Sequence, residues 1–129
     1  TIWIGLFAPA GTPDNVVQRL RQEVDVVLRS RPNAQFFVFS DDVAWVDEYL
    51  LPSLPHGSMI VDSLASEEDF ILMSRCRGNI ICNSGFSWTA AWLNNSPDRL
   101  VISPVRWLKD EVKNAEVMRN MYQPDWVYL

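Results

Sequence analysis

The feature that most constrains the fold is an alternation of short apolar runs with segments of helical pattern. The apolar runs cover residues 2–8, 35–40, 59–62, 79–83 and 100–103. Parallel strands joined by right-handed helical crossovers give this alternation. The sequence therefore predicts an α/β fold of three layers, Rossmann-like or flavodoxin-like. Its open parallel sheet has about five strands, with helices on both faces.

The segments between the runs carry signals for where helices begin and end. Pro13 suits the first turn of a helix over residues 13–30, and Ser66 opens a later helix that Gly78 is expected to end. A last helix is predicted at about 110–121, after which the chain packs back on the sheet. A length of 129 residues fits one domain with one core.

Charge and hydropathy exclude two classes of partner. A net charge of −5 disfavours nucleic acid, because phosphates require a basic surface. No apolar run approaches the roughly 20 residues that span a bilayer, and the first residues carry no basic segment like that of a signal peptide. We expect a soluble protein, cytoplasmic if expressed as given.

Cysteine and histidine usage gives no indication of a metal site. Cys76 and Cys82 form no Cys-x-x-Cys pair, and the single histidine, His56, has no ligand cluster around it. Both cysteines are predicted to be buried free thiols. We therefore expect neither a metal nor a cofactor.

Polar side chains follow the second and the fourth apolar run, where two strands are predicted to end. Hydroxyls and backbone N–H groups at such turns can hold phosphate, and an aspartate can bind a base or ribose. The alternative is that these residues only cap helices, whatever the function. The candidate nucleotide-binding residues are Ser40, Asp41, Asp42, Asn83, Ser84, Phe86, Ser87 and Trp88.

Other readings of these residues have less support. Asp41 and Asp42 are adjacent and diverge in a turn, whereas a glycosidase needs two carboxylates across a cleft. Tryptophan can stack on sugars, but Trp45, Trp92 and Trp107 fall at apolar positions typical of a core. Trp88 is the better candidate for the rim of a site.

Three motifs resemble the C-terminal part of the α-1,2-fucosyltransferase family over residues 33–129. They are Phe-Phe-Val-Phe-Ser-Asp-Asp at 36–42, Glu-Asp-Phe-Ile-Leu-Met-Ser-Arg-Cys at 68–76 and Asn-Ile-Ile-Cys-Asn-Ser-Gly-Phe-Ser-Trp at 79–88. Members of that family transfer fucose from GDP-fucose to a sugar acceptor with inversion. The resemblance implies that the loops at 40–42 and 83–88 face the guanosine and pyrophosphate of the donor.

The chain also departs from the family pattern. Gly85 stands where the family usually has serine or threonine, and residues 2–8 lack the family's His-x-Arg-Arg-Gly-Asp motif, whose arginine offsets the charge of the leaving diphosphate. Residues 2–26 instead resemble a strand-helix piece of the tricarboxylate-binding receptors of tripartite transporters.

These observations predict an engineered or recombined chain, with a foreign βα unit at 1–30 and a glycosyltransferase-like part at 31–129. Such a chain would keep at most a remnant GDP-sugar pocket, bind GDP or GDP-fucose weakly and lack a complete catalytic site, so it would not be an enzyme. The alternative is a minimal α-1,2-fucosyltransferase that moves fucose from GDP-fucose to a galactoside. A tricarboxylate-binding fragment is a third reading.

Overall fold

The chain folds into six parallel strands and five α-helices in the part that a computed structural model describes, residues 2–8, 14–62 and 66–129. The strands are β1 (Ile2–Phe7), β2 (Ala34–Phe39), β3 (Met59–Ile60), β4 (Gly78–Ile80), β5 (Leu100–Ser103) and β6 (Val127–Tyr128). The helices are α1 (Asp14–Ser30), α2 (Val43–Trp45), α3 (Ser66–Ser74), α4 (Gly85–Leu93) and α5 (Glu111–Met121). A π-helical turn, Val46–Leu50, and a 3₁₀ turn, Leu51–Ser53, continue α2.

The sheet has the order β3-β2-β1-β4-β5-β6, and every pair in it is parallel. β1 lies in the middle, with Ile4 opposite Phe36 of β2 on one side and opposite Gly78 of β4 on the other. The predicted Rossmann-like α/β fold is confirmed. The end of the chain adds a sixth strand to the five that the apolar runs predict.

Alternate residues of the central strands build two cores, one on each face of the sheet. Ile4 and Phe36 pack on one face with apolar residues of α1. On the other face Phe39 and Ile81 pack with residues of α3 and α4, among them Met73 and Ala90. Burial of both faces explains why these strands read as continuous apolar runs.

A buried polar network ties α3, β4 and the end of α4 together. The Asn79 side chain donates to the carbonyl of Met73 at 2.8 Å, and Asn94 donates to Asn79 Oδ1 and to the carbonyl of Cys76, both at 2.7 Å. Gly5 leaves room for this network, since a Cβ there would lie 3.1 Å from Asn79 Nδ2. Each buried polar group thus meets a partner across the α3–β4 junction.

Replacement of Asn94 by alanine is expected to lower the free energy of unfolding by about 2 kcal/mol, because it strips buried hydrogen-bond partners from Asn79 and Cys76. Urea denaturation measures the change. Asn95→Ala, at an exposed neighbouring position, is the matched control and should change stability by less than about 0.5 kcal/mol. Equal effects of the two variants would contradict the structural role of the network.

The predicted limits of the elements need one correction. Gly78 was expected to end the third helix, but α3 ends at Ser74 and Gly78 is the first residue of β4. A Cβ at this glycine would lie 2.5 Å from the carbonyl oxygen of Leu100, so close contact between β4 and β5 requires glycine here. The predicted helix start at Pro13 lies outside the described residues.

In the ranges described, no helix is long and apolar enough to cross a membrane. Cys76 and Cys82 are free and buried, as predicted. Burial raises the pKa of the Cys76 thiol to about 12, so this thiol stays protonated at neutral pH.

Candidate functional site

The strand order puts a crevice at the carboxyl ends of β1, β2 and β4. From β1 the chain moves outward to β2 and β3, and then crosses back to β4 on the other side of β1. Open α/β sheets bind ligands at such a switch point. A cleft of about 480 Å³ opens there, lined by Phe7, Phe39, Ser40, Asp41, Ser66, Asp69, Cys82, Asn83, Ser84 and Phe86.

The loop after β2 brings two of its three predicted residues to the cleft. Ser40 and Asp41 line it, and Asp41 is exposed. Asp42 is the N-cap of α2, where its Oδ1 accepts a hydrogen bond from the backbone N–H of Trp45 at 3.1 Å. The capping alternative therefore accounts for Asp42.

The loop after β4 contributes Asn83, Ser84 and Phe86. Ser84 has a second role as the N-cap of α4, because its Oγ accepts from the N–H of Ser87 at 3.1 Å. Asn83 Nδ2 donates to the carbonyl of Trp107 at 3.3 Å, which joins this loop to the segment after β5.

Ser87 and Trp88 do not line the cleft. Ser87 is fully buried, and its hydroxyl oxygen lies 3.2 Å from the carbonyl oxygens of both Cys82 and Ser84, which share its one hydrogen as acceptors. Trp88 packs against Trp126 in the core and its Nε1 donates to the carbonyl of Met121. Trp92 is 51% exposed, so the predicted core position of Trp92 is wrong, and Trp88 is half-buried away from the cleft.

The sequence does not predict several of the lining residues, because they belong to other elements than the two loops. Ser66 and Asp69 belong to the first turn of α3, and the sequence marked that segment only as a helix start. Phe7 and Phe39 end the apolar runs of β1 and β2. Their position at a strand's carboxyl end is the signal that could have identified them.

The electrostatics of the cleft are mixed. The amino ends of α3 and α4 meet at it, and the positive end of a helix dipole favours anions. Two carboxylates, Asp41 and Asp69, oppose this effect. Burial raises the pKa of Cys82, chiefly by desolvation, and hydrogen bonds from Ser87 and Ser84 lower it in part. Among the described residues, no three side chains cluster as metal ligands.

Comparison with known proteins identifies the family. The model described as "Glycosyl transferase family 11" matches residues 15–129. The O-antigen biosynthesis glycosyltransferase WbnK of Escherichia coli is 41% identical over 83 residues, 63% of this chain and 27% of that protein. An alpha-1,2-colitosyltransferase of Escherichia coli is 38% identical over 85 residues, 64% of this chain and 29% of that protein. The chain thus matches under a third of each relative, and no solved structure matches significantly.

These matches correct the predicted origin and function. The prediction of an engineered or recombined domain without a catalytic site is wrong, because the chain from residue 15 onward matches one family and its relatives are named glycosyltransferases. The family match includes nearly all of α1, which the prediction had assigned to a foreign unit. None of the matches supports a receptor piece at residues 2–26.

Proposed function

Because the chain belongs to glycosyl transferase family 11, we propose that it forms the donor-binding part of a glycosyltransferase and holds a GDP-sugar such as GDP-fucose in the cleft at the carboxyl ends of β1, β2 and β4. The observation that supports this proposal most directly is that the loops after β2 and after β4 line one cleft at the switch point of the sheet. The reading that we retain is the alternative given above, transfer of fucose from GDP-fucose to a galactoside, for which this chain supplies the donor-binding part.

The contents of the cleft support a nucleotide rather than a bare sugar. Phe7, Phe39 and Phe86 give apolar surface for a planar base, and Ser40 and Ser84 give hydroxyls. The first turns of α3 and α4 offer backbone N–H groups to phosphate oxygens. Apolar walls with a few convergent polar groups are typical of cofactor and nucleotide sites.

Among the described residues, no lysine or arginine lines the cleft, so the lining itself offers no positive charge to the diphosphate. The segment after β5 contains Arg106 and Lys109, both exposed, and Asn83 holds this segment through the carbonyl of Trp107. We therefore expect phosphate binding to combine the helix ends with guanidinium or ammonium groups from this edge of the sheet.

The reaction that we propose breaks the bond between the anomeric carbon of the donor sugar and the diphosphate oxygen. The acceptor hydroxyl oxygen forms a new bond to that carbon and releases its proton to water, and GDP leaves with the bonding electron pair. Preorganised donors around the diphosphate would stabilise the charge that develops on it. The described residues contribute this stabilisation and the orientation of the donor.

Calorimetric titration with GDP tests the donor site. We expect saturable heat with a dissociation constant below about 1 mM, which corresponds to about −4 kcal/mol, and weaker binding of UDP. A matched titration of GDP-fucose should saturate the same site and compete with GDP. Absence of heat above the buffer blank with GDP would reject the donor site in this chain.

Replacement of Asp41 by alanine is expected to weaken GDP binding at least about tenfold, because a carboxylate hydrogen bond to the base or ribose contributes about 1.5–3 kcal/mol. Asp47→Ala removes the same charge from an exposed position on the nearby π-helical turn and serves as the control. Calorimetry of both variants measures the difference. Equal affinities for GDP would exclude Asp41 from the site.

A further inference from the structure

One side chain of α5 fixes the segment that joins β5 to α5. This segment, residues 104–110, contains no helix or strand, so its backbone groups need other hydrogen-bond partners. Oδ1 of Asn114 accepts from the backbone N–H groups of Trp107 at 2.6 Å and of Leu108 at 2.9 Å. Nδ2 of the same side chain donates to the carbonyl of Val105 at 3.1 Å. A single amide thus determines the path of the segment.

The hydrogen bonds of Asn114 lie on both sides of Arg106. They hold the carbonyl of Val105 and the N–H of Trp107, which are the residues directly before and after this arginine. The Trp107 side chain is buried in the core that contains α3 and α4, whereas Arg106 is exposed. The backbone of Arg106 is therefore fixed while its guanidinium is open to a ligand.

The same segment lies against the cleft. Asn83, which lines the cleft, donates from Nδ2 to the carbonyl of Trp107 at 3.3 Å. β5 pairs with β4 in parallel, so the segments that follow the two strands meet at the same edge of the sheet. Arg106 thus approaches the cleft from the β5 side. A guanidinium there suits a diphosphate, because it offers phosphate oxygens two parallel N–H donors and a positive charge.

We propose that Arg106 binds the diphosphate of the donor and that Asn114 is the positioning residue that holds Arg106 at the cleft. This inference rests on the proposed function and deepens it, because it assigns the positive charge that the cleft lining lacks. A guanidinium on a fixed backbone loses less conformational freedom on binding than one on a loose segment. Asn114 therefore affects the affinity for GDP through Arg106.

A double-mutant cycle tests this dependence by calorimetric titration with GDP. We expect R106A to bind GDP at least about tenfold more weakly than wild type, because charge-assisted hydrogen bonds to phosphate are lost. N114A should lose a similar or smaller factor. The double variant should bind GDP no more weakly than R106A, since Asn114 then has no guanidinium to position. Losses that multiply in the double variant would overturn the positioning role.

Two matched variants separate position from composition. N120A removes an exposed asparagine from the same helix and should leave the affinity for GDP unchanged. K109A removes an exposed positive charge from the same segment, outside the peptide bonds that Asn114 holds, and should weaken GDP binding less than R106A. Equal losses for K109A and R106A would indicate a general effect of charge and would overturn the assignment of Arg106.

Two further measurements keep the inference testable if N114A does not fold. In wild type the amides of Trp107 and Leu108 should exchange their hydrogens at least about tenfold more slowly than amides of an unstructured chain. Unprotected amides would show that Asn114 does not hold the segment. R106A alters an exposed side chain, and an unchanged affinity for GDP would overturn the inference while leaving the donor site intact. Absence of GDP binding by wild type would instead overturn the proposed function, and this inference with it.

Discussion

Replacement of Phe36 by alanine should lower the free energy of unfolding by about 3–5 kcal/mol. Phe36 is fully buried in β2, opposite Ile4 of β1, and packs with the apolar side chains of α1. Its removal leaves a cavity in the middle of the sheet that neighbouring strands cannot close. Since domains of this size are stable by only about 5–15 kcal/mol, much of the native stability would be lost.

Urea denaturation followed by tryptophan fluorescence measures this loss. Val112→Ala on α5 is the control, because Val112 is 80% exposed and its truncation should change stability by less than about 0.5 kcal/mol. A loss below 1 kcal/mol for the Phe36 variant would mean that β2 is not the buried strand described above.

Replacement of Glu23 by glutamine should stabilise the protein at pH 8 by up to about 3 kcal/mol and have little effect at pH 4.5. Glu23 is 1% exposed on the inner side of α1, and burial raises its pKa from 4.5 to about 7, although the charge of Arg19 at 3.5 Å lowers it in part. The ionised carboxylate is therefore unfavourable in the folded chain.

The direction of the pH dependence follows from proton binding. Between pH 4.5 and about 7 the folded chain keeps a proton on Glu23 that the unfolded chain has released. The contribution of Glu23 to the free energy of unfolding is therefore fully present below pH 4.5 and is lost as the pH rises through 7. Because glutamine is neutral at every pH, the stability of E23Q relative to wild type increases over the same range.

Paired denaturation curves of wild type and E23Q at pH 4.5, 6 and 8 measure this effect. Glu116→Gln on the exposed side of α5 is the control and should change stability by less than about 0.5 kcal/mol. A constant difference for E23Q would show that Glu23 titrates as an ordinary surface carboxyl.

The sequence predicts the strands and the two cleft loops because both follow from local pattern. A strand buried on both faces must be apolar throughout, and parallel strands put their carboxyl ends at one edge. Ser40, Asp41, Asn83 and Ser84 therefore reach the cleft as expected. Residues that cap helices are of the same types as residues that line such a cleft, so the sequence alone does not distinguish the capping Asp42 from the cleft residue Asp41.

Other features depend on packing that no local pattern contains. The approach of Asp69 to the cleft depends on how the crossover from β3 returns to β4 across the sheet. Trp88 and Trp92 lie four residues apart on α4, and contacts with the distant residues Trp126 and Met121 distinguish the half-buried Trp88 from the exposed Trp92. Glu23 follows Leu20 by three residues and precedes Val27 by four, so helical spacing could have placed it on the buried face.

The predicted foreign unit shows how a short resemblance can mislead. A buried strand followed by an amphipathic helix requires only an apolar pattern and a suitable volume, so unrelated families share such segments. A match of thirty residues or fewer carries little information about origin. The family match over residues 15–129 extends through α1 and outweighs it.

The most direct test of the donor site is an amide-resolved NMR titration of the chain with GDP. We predict saturable shift changes concentrated at residues 39–41, 66–70 and 82–86, the segments that line the cleft. Residues of β6 and the outer side of α5 should remain unchanged. Shift changes confined to surfaces away from these segments, or none at millimolar GDP, would contradict a nucleotide site at the carboxyl ends of β1, β2 and β4.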